Sequence, residues 1–448
     1  MADVNSNLSS SQQTEGLRFL VRALRHRNYR LFFGGQSVSL IGTWMTRIAT
    51  SWLVYRLTGS AMLLGLVGFA GQLPTFLLGP IAGVWVDRLD RHKVLVLTQV
   101  LAMLQSFALA VLALMGRITV WDILWLNAFQ GVINAFDMPA RQAFVVEMVT
   151  DRNDLSNAIA LNSSMVNMAR LVGPSIAGII IAAVGEGYCF LIDGFSYLAV
   201  IASLLLMHLA AVAPVRRGKN VFSDLKEGWR YVTDFAPVRD VMLLLCVASL
   251  MGMPYMVLMP IFAGTILHGG PHTLGFLMGA TGVGALTGAV LLAARKSVLG
   301  LGRVVPLAAA AFGAGLIAFA FSRWLWLSFI LMFVVGFGMM QQMAGSNTIL
   351  QTISPDDKRG RVMSYYTVSI VGMAPFGSLL SGWLAARIGA PFALAIGGAC
   401  CLVGSGLFAL RLRRIRELVH PIYVQLGIIP EIAEGLNSAA ILTSVTEE

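Results

Sequence analysis

Long apolar stretches alternate with short polar ones along almost the whole chain. Each stretch is about as long as the roughly 20 residues that a helix needs to cross a bilayer. Because the apolar residues run continuously instead of alternating with polar ones, they predict membrane-spanning helices and not the strands of a barrel. Twelve segments are predicted, with approximate limits 29–55, 61–86, 94–115, 120–143, 158–184, 188–211, 237–265, 272–294, 303–322, 325–350, 362–386 and 391–410.

The composition agrees with this pattern. Hydrophobic residues make up 57% of the 448 residues and charged residues only 12%, whereas about a quarter of the residues of a soluble protein are charged. The cysteines lie in apolar runs without the spacing of a metal site or a redox motif, so we expect no metal and no cofactor. The polar N-terminal residues lack the pattern of a cleaved signal peptide, so we expect the internal helices to direct insertion.

Lys and Arg are distributed unevenly between the two sides of the predicted bundle. Of the 32, 26 lie in the N-terminal stretch and every second connection, 4 lie in the other connections, and Arg47 and Arg170 lie within predicted helices. We expect a multi-pass protein of the inner membrane, and by the positive-inside rule we expect both termini in the cytoplasm. The net charge of +10 then reflects topology and contact with membrane lipid. We expect no nucleic-acid partner, because the charges form no single patch.

The longest internal polar stretch, residues 213–240, carries basic residues and the pattern of an amphipathic helix. It divides the predicted segments into two groups of six. We therefore expect an all-α membrane protein with twelve transmembrane helices in two six-helix bundles. Its predicted parts are a cytoplasmic N-terminal tail (1–28), an N-terminal bundle (29–211), a cytoplasmic linker (212–236), a C-terminal bundle (237–410) and a cytoplasmic C-terminal tail (411–448).

Spaced small residues recur in the two groups at nearly one constant offset in sequence. Such matches predict a duplicated six-helix unit, so that the two bundles are pseudo-symmetric. Parallel repeats of this kind are a transporter architecture with the substrate site between the halves, and we expect a single chain to function as a monomer. The matched positions are Gly173 with Gly377, Gly178 with Gly382, and GPIAG (79–83) with GALTG (284–288).

The stretch GPIAGVWVDRLDRHKVL, residues 79–95, resembles the signature of the major facilitator superfamily between its second and third helices. In that signature a glycine precedes an aspartate by four positions and a basic turn follows. The resemblance implies the fold of a secondary transporter. Gly83, Asp87, Arg88, Arg91 and Lys93 match the pattern, and Asp90 stands where a glycine is usual.

The physical reason for this motif is a gate. Gly79 and Gly83 leave one helix face smooth, so that a neighbouring helix can approach closely. The Asp87 carboxylate can accept charge-assisted bonds that hold the cytoplasmic side shut. The family's partner positions, at the end of the fourth helix and the start of the eleventh, correspond here to Arg141 and residues 360–361. Alternatively, the cations serve only as topology determinants.

RLVGPSIAG, residues 170–178, resembles the antiporter motif of the superfamily's fifth helix, in which a Gly-Pro pair is followed by glycines. Gly173, Pro174 and Gly178 match, and alanines replace two other glycines of the motif. Proline removes a backbone bond and glycine permits close packing, which predicts a kinked helix with a smooth face. The motif is associated with exporters and so implies export; a plain proline kink is the alternative.

Four charged residues fall inside predicted membrane segments: Arg47, Asp137, Arg170 and Asp193. A charge within hydrocarbon costs at least a few kcal/mol, so each is a functional-site candidate. In one interpretation they form structural ion pairs, for example Arg47 with Asp193. In the other, Asp137 or Asp193 carries a coupled proton, since a moving arginine can switch the protonation of a buried carboxyl.

Polar side chains at similar depth predict a substrate cavity between the halves. Gln36, Thr43 and Arg47 share one face of the first helix because their spacing matches whole helical turns. Methionines cluster on the seventh and tenth segments, and flexible Met suits a bulky amphipathic ligand, although Met also packs against lipid. The expected cavity residues are Gln36, Thr43, Gln130, Asn134, Tyr255, Gln341, Gln342 and Tyr365.

Three blocks together resemble the branch of the superfamily that contains enterobactin and macrolide exporters: residues 22–44, NAFDMPARQAF (134–144) and RLVGPSIAG. The resemblance implies export of a siderophore-like or drug-like amphipathic small molecule by alternating access, with the proton gradient as energy source. The alternative is a proton-coupled importer of a nutrient or lysophospholipid. An enzyme is not expected, because the chain has neither a P-loop nor a nucleophile elbow.

Overall fold

The computed structural model describes residues 22–149, 151–208, 221–295 and 297–429, without the side chains of residue 152 and residues 221–226. These residues form helices and connecting turns and contain no strand. Short 3-10 helices lie at Arg22–Arg25 and Arg152–Asp154. The long helices are α1 (Arg27–Thr58), α2 (Ala61–Val86), α3 (Arg91–Leu114), α4 (Val120–Met148), α5 (Leu155–Val184), α6 (Glu186–Leu205), α7 (Val221–Asp234), α8 (Ala236–Ile266), α9 (Pro271–Ala293), α10 (Leu301–Phe321), α11 (Leu325–Ile353), α12 (Asp356–Ile388) and α13 (Ala390–Gln425).

Ten of these helices are long and apolar enough to cross a membrane: α2, α3, α5, α6 and α8–α13. α1 and α4 coincide with the two other predicted segments and are similarly long, with 32 and 29 residues. Their hydropathy is lower because α1 carries four arginines and α4 carries three acids and an arginine. α7 is the amphipathic helix expected between the sixth and seventh segments. The chain is therefore an all-helical, multi-pass membrane protein.

The largest difference from the predicted boundaries is at α13, which was expected to end at residue 410 and continues to Gln425. The reason is a second apolar pattern: Leu412, Ile415, Val419 and Tyr423 recur every three or four residues and pack into one cluster. The first part of the predicted C-terminal tail (411–448) is thus helical. Residues 1–21, 209–220 and 430–448 of the predicted tails and linker lie outside the described residues.

The helices pack in two groups. In the first, α1 packs against α5 and α6, α2 against α4, and α3 against α4 and α6. In the second, α8 packs against α13, α9 against α11, and α10 against α11 and α13. The groups meet mainly through two interfaces, α2 with α12 and α5 with α9. Both interfaces use helices that carry the recurring glycines.

At one end of the molecule, the helices of each of these two interfaces are in very close contact. A Cβ atom built on Gly65 of α2 would lie 2.9 Å from the Cα of Gly382 of α12. A Cβ atom built on Gly178 of α5 would lie 3.0 Å from the Cα of Gly275 of α9. Only glycine allows helix backbones to approach so closely. We call this end, where α2 begins, the closed end.

At the other end, where α2 ends, the groups are apart. The α2–α12 interface extends as far as Phe76, whose ring would lie 2.8 Å from a Cβ on Gly372. Beyond it, a Cβ on Gly79 or Gly83 of α2, or on Gly360 of α12, would meet no atom of another described element within 4 Å. We call this end the open end.

The glycines that recur in α5 and α12 make equivalent contacts. Gly173 packs against Trp44 of α1, and Gly377 packs against Leu250 of α8. The second glycine of each pair, Gly178 or Gly382, forms the closed end. The spacing therefore serves the same two contacts in each half of the chain.

The match of GPIAG to GALTG is wrong. Gly131 of α4 packs against Gly71 of α2, and the corresponding Gly336 of α11 packs against Thr281 of α9. Gly71 and Thr281 are separated in sequence by the same number of residues as the closed-end glycines Gly65 and Gly275. This separation is longer than the one between GPIAG and GALTG. Equivalent contacts therefore give a longer sequence offset between α2 and α9, because the connection before α9 is longer. The spacing of small residues alone could not predict which residues of the two helices are equivalent.

Candidate transport cavity

A cavity of about 290 Å³ lies between the two groups, toward the closed end. Helices α1–α4 and α6 form most of its wall. The second group contributes three apolar side chains, Met256, Val257 and Met278. The polar wall residues are Thr43, Thr46, Arg47, Thr50, Ser51, Gln72, Gln105, Asn127, Gln130, Asn134, Asp193 and Tyr197. The cavity thus has a polar side and an apolar side, as small-molecule sites commonly do.

Five of the predicted site residues lie on this wall: Thr43, Arg47, Gln130, Asn134 and Asp193. Their side chains come from α1, α4 and α6, which pack so that these polar faces converge. Gln130 and Asn134 are one turn apart on α4, and the Gln130 amide donates to Asn134 Oδ1 at 3.2 Å. The helical spacing of polar residues in the first group therefore predicted which side faces inward.

Five of the residues expected in the cavity lie outside its wall, and two of them are tyrosines that turn toward neighbouring helices. Tyr255 packs edge-on against Phe312, with ring centroids 6.4 Å apart. Tyr365 packs against Trp229 of α7, with centroids 5.8 Å apart. For the two tyrosines, the expected depth in the membrane was not enough, because depth gives no rotation of the helix about its axis. The five are Gln36, Tyr255, Gln341, Gln342 and Tyr365.

Sequence analysis did not identify Gln72, Gln105 or Tyr197, which also line the cavity. The Gln72 amide donates to the Gly68 carbonyl oxygen at 3.0 Å and to Ser378 Oγ of α12 at 3.3 Å, so it links the two groups. Both glutamines are isolated amides in apolar segments. That isolation was the available signal, because a polar group in a membrane helix needs a partner.

Asp193 is buried in the wall and held by hydroxyl groups. Its Oδ2 accepts hydrogen bonds from Thr46 and Ser106, both at 2.8 Å, and its Oδ1 accepts one from Ser196 at 3.4 Å. A Cβ on Gly42 would lie 2.6 Å from Oδ1, so glycine there lets α1 approach this carboxylate. The expected ion pair between Asp193 and Arg47, both of them described residues, is not formed.

Arg47 and Arg170 instead meet at one aromatic ring. The guanidinium carbon of Arg47 lies 4.9 Å from the centroid of the Trp44 ring, and that of Arg170 lies 5.3 Å from it. Both are within the range of cation–π attraction. Trp44 lines the cavity, while Arg170 reaches the ring from α5.

Asp137 and Arg141 form an ion pair one turn apart on α4. Asp137 is only 2% exposed and also accepts hydrogen bonds from the Gln99 amide at 2.7 Å and the Thr98 hydroxyl at 3.1 Å. The structure therefore places Arg141 with Asp137, within the first group, and not with Asp87.

The motif between α2 and α3 is likewise engaged within the first group. Arg91 lies 3.3 Å from Asp87 and 2.5 Å from Glu147 of α4. Arg88 is exposed. Arg361, at the start of α12, pairs with Glu227 of α7 at 2.5 Å. In this conformation the predicted gate partners are thus separated, as expected at an open end.

Asp90, which replaces the usual glycine, has a role of its own. Its carboxylate accepts hydrogen bonds from the backbone N–H groups of His92 and Lys93, at 3.1 and 3.3 Å. Asp90 is therefore the N-cap of α3. Its backbone has a negative φ of −68°, so the turn needs no glycine there.

The antiporter-like motif lies in the two contacts of α5 already described. Gly173 faces α1, Gly178 faces α9, and the Pro174 carbonyl oxygen would lie 2.5 Å from a Cβ on Gly275. α5 continues through Pro174 without interruption from Leu155 to Val184. The motif provides a smooth helix face for both contacts.

Several curated proteins to which this chain is similar are transporters. The Staphyloferrin A transporter of Staphylococcus aureus is 24% identical, over 78% of this chain and 88% of its own length. The multidrug efflux pump Tap of Mycolicibacterium fortuitum is 29% identical, over 84% and 93%. Macrolide efflux protein A of Streptococcus pyogenes is 26% identical, over 82% and 92%.

Solved transporter structures share the fold. A bacterial homolog of the human lysosomal transporter Spinster, in an inward-facing and unoccupied conformation, gives a TM-score of 0.63 at 14% identity, covering 89% of this chain and 98% of that one. The nucleoside transporter NupG gives 0.66 at 12% identity, covering 86% and 99%. The family described as transmembrane secretion effector matches residues 21–421. The expected resemblance is confirmed: the chain belongs to this family and is a transporter of the efflux branch of the major facilitator superfamily.

Proposed function

We propose that the protein exports a siderophore-like or drug-like amphipathic small molecule across the inner membrane by alternating access. The observation that carries the proposal is a cavity between two helix groups that touch at one end and are apart at the other. A carrier needs such a site, reachable from one side at a time. The efflux and siderophore relatives support the direction and the class of cargo.

The orientation follows from the arginines and lysines. Those in the described ranges are concentrated at the open end, which by the positive-inside rule lies in the cytoplasm together with both termini. The conformation is then inward-facing. In this proposal α1 and α4 also cross the membrane, which gives twelve spans in two pseudo-symmetric bundles. The equivalent glycine contacts of α5 and α12 support this arrangement.

The gate works by exchange of partners. To close the open end, Gly79 and Gly83 must come into contact with α12, and Asp87 must exchange its weak pairing with Arg91 for a partner on the approaching helices. Arg141 and Arg361 are the candidates, and each has another acid as its partner here. Their release upon closure would tie the two conformations to two sets of ion pairs.

Export is driven by the proton gradient in this proposal, without a cofactor, and one chain acts as a monomer. Asp193 is the better placed proton carrier, because it lies in the cavity wall with neutral hydroxyl partners. Asp137 is fixed by Arg141. A carboxyl with neutral partners can lose and regain a proton without leaving a cation unpaired.

The test is transport in membrane vesicles. Everted vesicles should accumulate a catecholate siderophore, a macrolide or a fluorescent dye, and a protonophore should abolish the uptake. Vesicles with Asp193→Asn should lose the dependence on the pH gradient. Accumulation of the substrate only in right-side-out vesicles would show import, as of a nutrient or lysophospholipid, and would overturn the proposed direction.

A further inference from the structure

Two arginines in the centre of the molecule have no carboxylate partner among the described residues. No Asp or Glu oxygen of those residues lies within 4.0 Å of the guanidinium of Arg47 or Arg170, and neither guanidinium donates a hydrogen bond to them. The Nε of Arg170 is buried without an acceptor in the described part of the chain. Arg47 is exposed and lines the cavity, and Arg170 is half-buried. Each guanidinium carries five N–H donors, which are therefore available to a molecule that enters the cavity.

The buried acids cannot supply the missing partner, because each already has another one. Among the described residues the buried carboxylates are Asp137, Asp154, Glu186, Asp193 and Asp240. Four of them pair with arginines other than these two, and Asp193 accepts three hydroxyl hydrogen bonds. Within the described ranges, two central arginines are thus left without internal compensation, which structural ion pairing does not explain.

A polar route leads from the open end to these arginines. Ser156, Ser163, Asn167 and Arg170 follow one another on α5 at intervals of one or two helical turns, which places them on one helix face. Ser156 and Ser163 are exposed and Asn167 is half-buried. Arg170 ends this face and lies beside Trp44, which separates it from Arg47 in the cavity.

Resting on the proposed export function, we propose that Arg47, Arg170 and Trp44 form an anion subsite, and that the cargo is an amphipathic carboxylate or similar oxyanion. Arginine binds planar carboxylates through two parallel hydrogen bonds. The apolar side of the cavity, Met256 and Met278, receives the hydrophobic body of the same molecule.

The experiment compares two ligands of nearly equal shape, 2-naphthoate and the neutral 2-naphthamide. Calorimetry on the purified full-length protein should give a Kd for naphthoate at least about tenfold lower than for naphthamide, a difference of about 1.4 kcal/mol. Arg47→Gln and Arg170→Gln should each weaken naphthoate binding and leave naphthamide binding unchanged. Arg47→Lys should retain part of the preference, which also controls for misfolding. Arg323→Gln, at the closed end, is the matched arginine control.

The outcomes separate this inference from the proposed function. Equal affinity for the two ligands, absence of naphthoate binding at millimolar concentration, or a preference that survives both glutamine variants overturns the anion subsite. If vesicles still export a neutral dye in those cases, the proposed function stands. Conversely, arginine-dependent binding of naphthoate without any vesicle transport supports the subsite and overturns export.

Discussion

Two aspartates three residues apart have different tasks in the turn between α2 and α3. Asp87 is exposed and makes one ion pair, whereas Asp90 caps α3. Because exposed ion pairs contribute little to stability, Asp87→Asn should leave the melting temperature nearly unchanged. It should still reduce transport at least tenfold, since the outward-facing state loses its latch.

The matched control at the same turn is Asp90→Asn. Asparagine caps a helix as well as aspartate does, so this variant removes a charge and keeps the structure. It should transport like the wild type in the same vesicle assay. If both variants transport equally well, the negative charge of Asp87 has no part in the gate.

At the start of α5, the contacts of Asp154 predict that the stability of the protein depends on pH. His26 donates a hydrogen bond to it at 3.0 Å, and this bond, together with Arg25 and Arg22, lowers the pKa of the Asp154 carboxyl below its ordinary value of 3.8. A lowered pKa means that the stabilisation is complete above about pH 4 and disappears as the pH falls through the lower folded-state pKa. Asp154→Asn should therefore melt below the wild type at pH 6 to 8, and the difference should shrink toward pH 3. A constant difference would contradict the role of the charge.

At the scale of helices, continuous apolar runs predicted the long helices, because a bilayer demands a fixed length of apolar helix. The end of α13 was missed, since Ile415 and Val419 extend the helix by packing and not by hydropathy. The same limit applies to the site. Spacing identified the polar faces of α1 and α4, but Gln341 and Gln342 were misplaced, because sequence gives depth in the membrane and not the rotation that packing imposes.

Close helix contact at the closed end gives a direct test on α2. In Gly65→Ala the new Cβ would lie 2.6 Å from the Ser378 carbonyl oxygen, a backbone atom that cannot turn away. α2 and α12 must then move apart, and overpacking of this kind costs about 1–3 kcal/mol. We expect a lower melting temperature and reduced transport. Gly34→Ala on α1, where a Cβ meets no described atom within 4 Å, should be neutral or slightly stabilising; equal melting of both variants would contradict tight contact at Gly65.

At the scale of the whole molecule, an inward-facing conformation requires that water reach the polar face of α5 from the cytoplasmic side only. In a cysteine-free background, Ser163→Cys on α5 should react with a membrane-impermeant maleimide in everted vesicles and not in right-side-out ones, because Ser163 is exposed on the side of the open end. Trp326→Cys, 80% exposed at the start of α11 on the closed end, should give the reverse pattern. Because alternating access moves the opening and not the topology, transport substrate should slow labelling at Ser163→Cys and leave Trp326→Cys unchanged. Labelling of Ser163→Cys from both sides would mean that the glycine contacts do not seal the closed end. That result would contradict the proposed alternating-access mechanism.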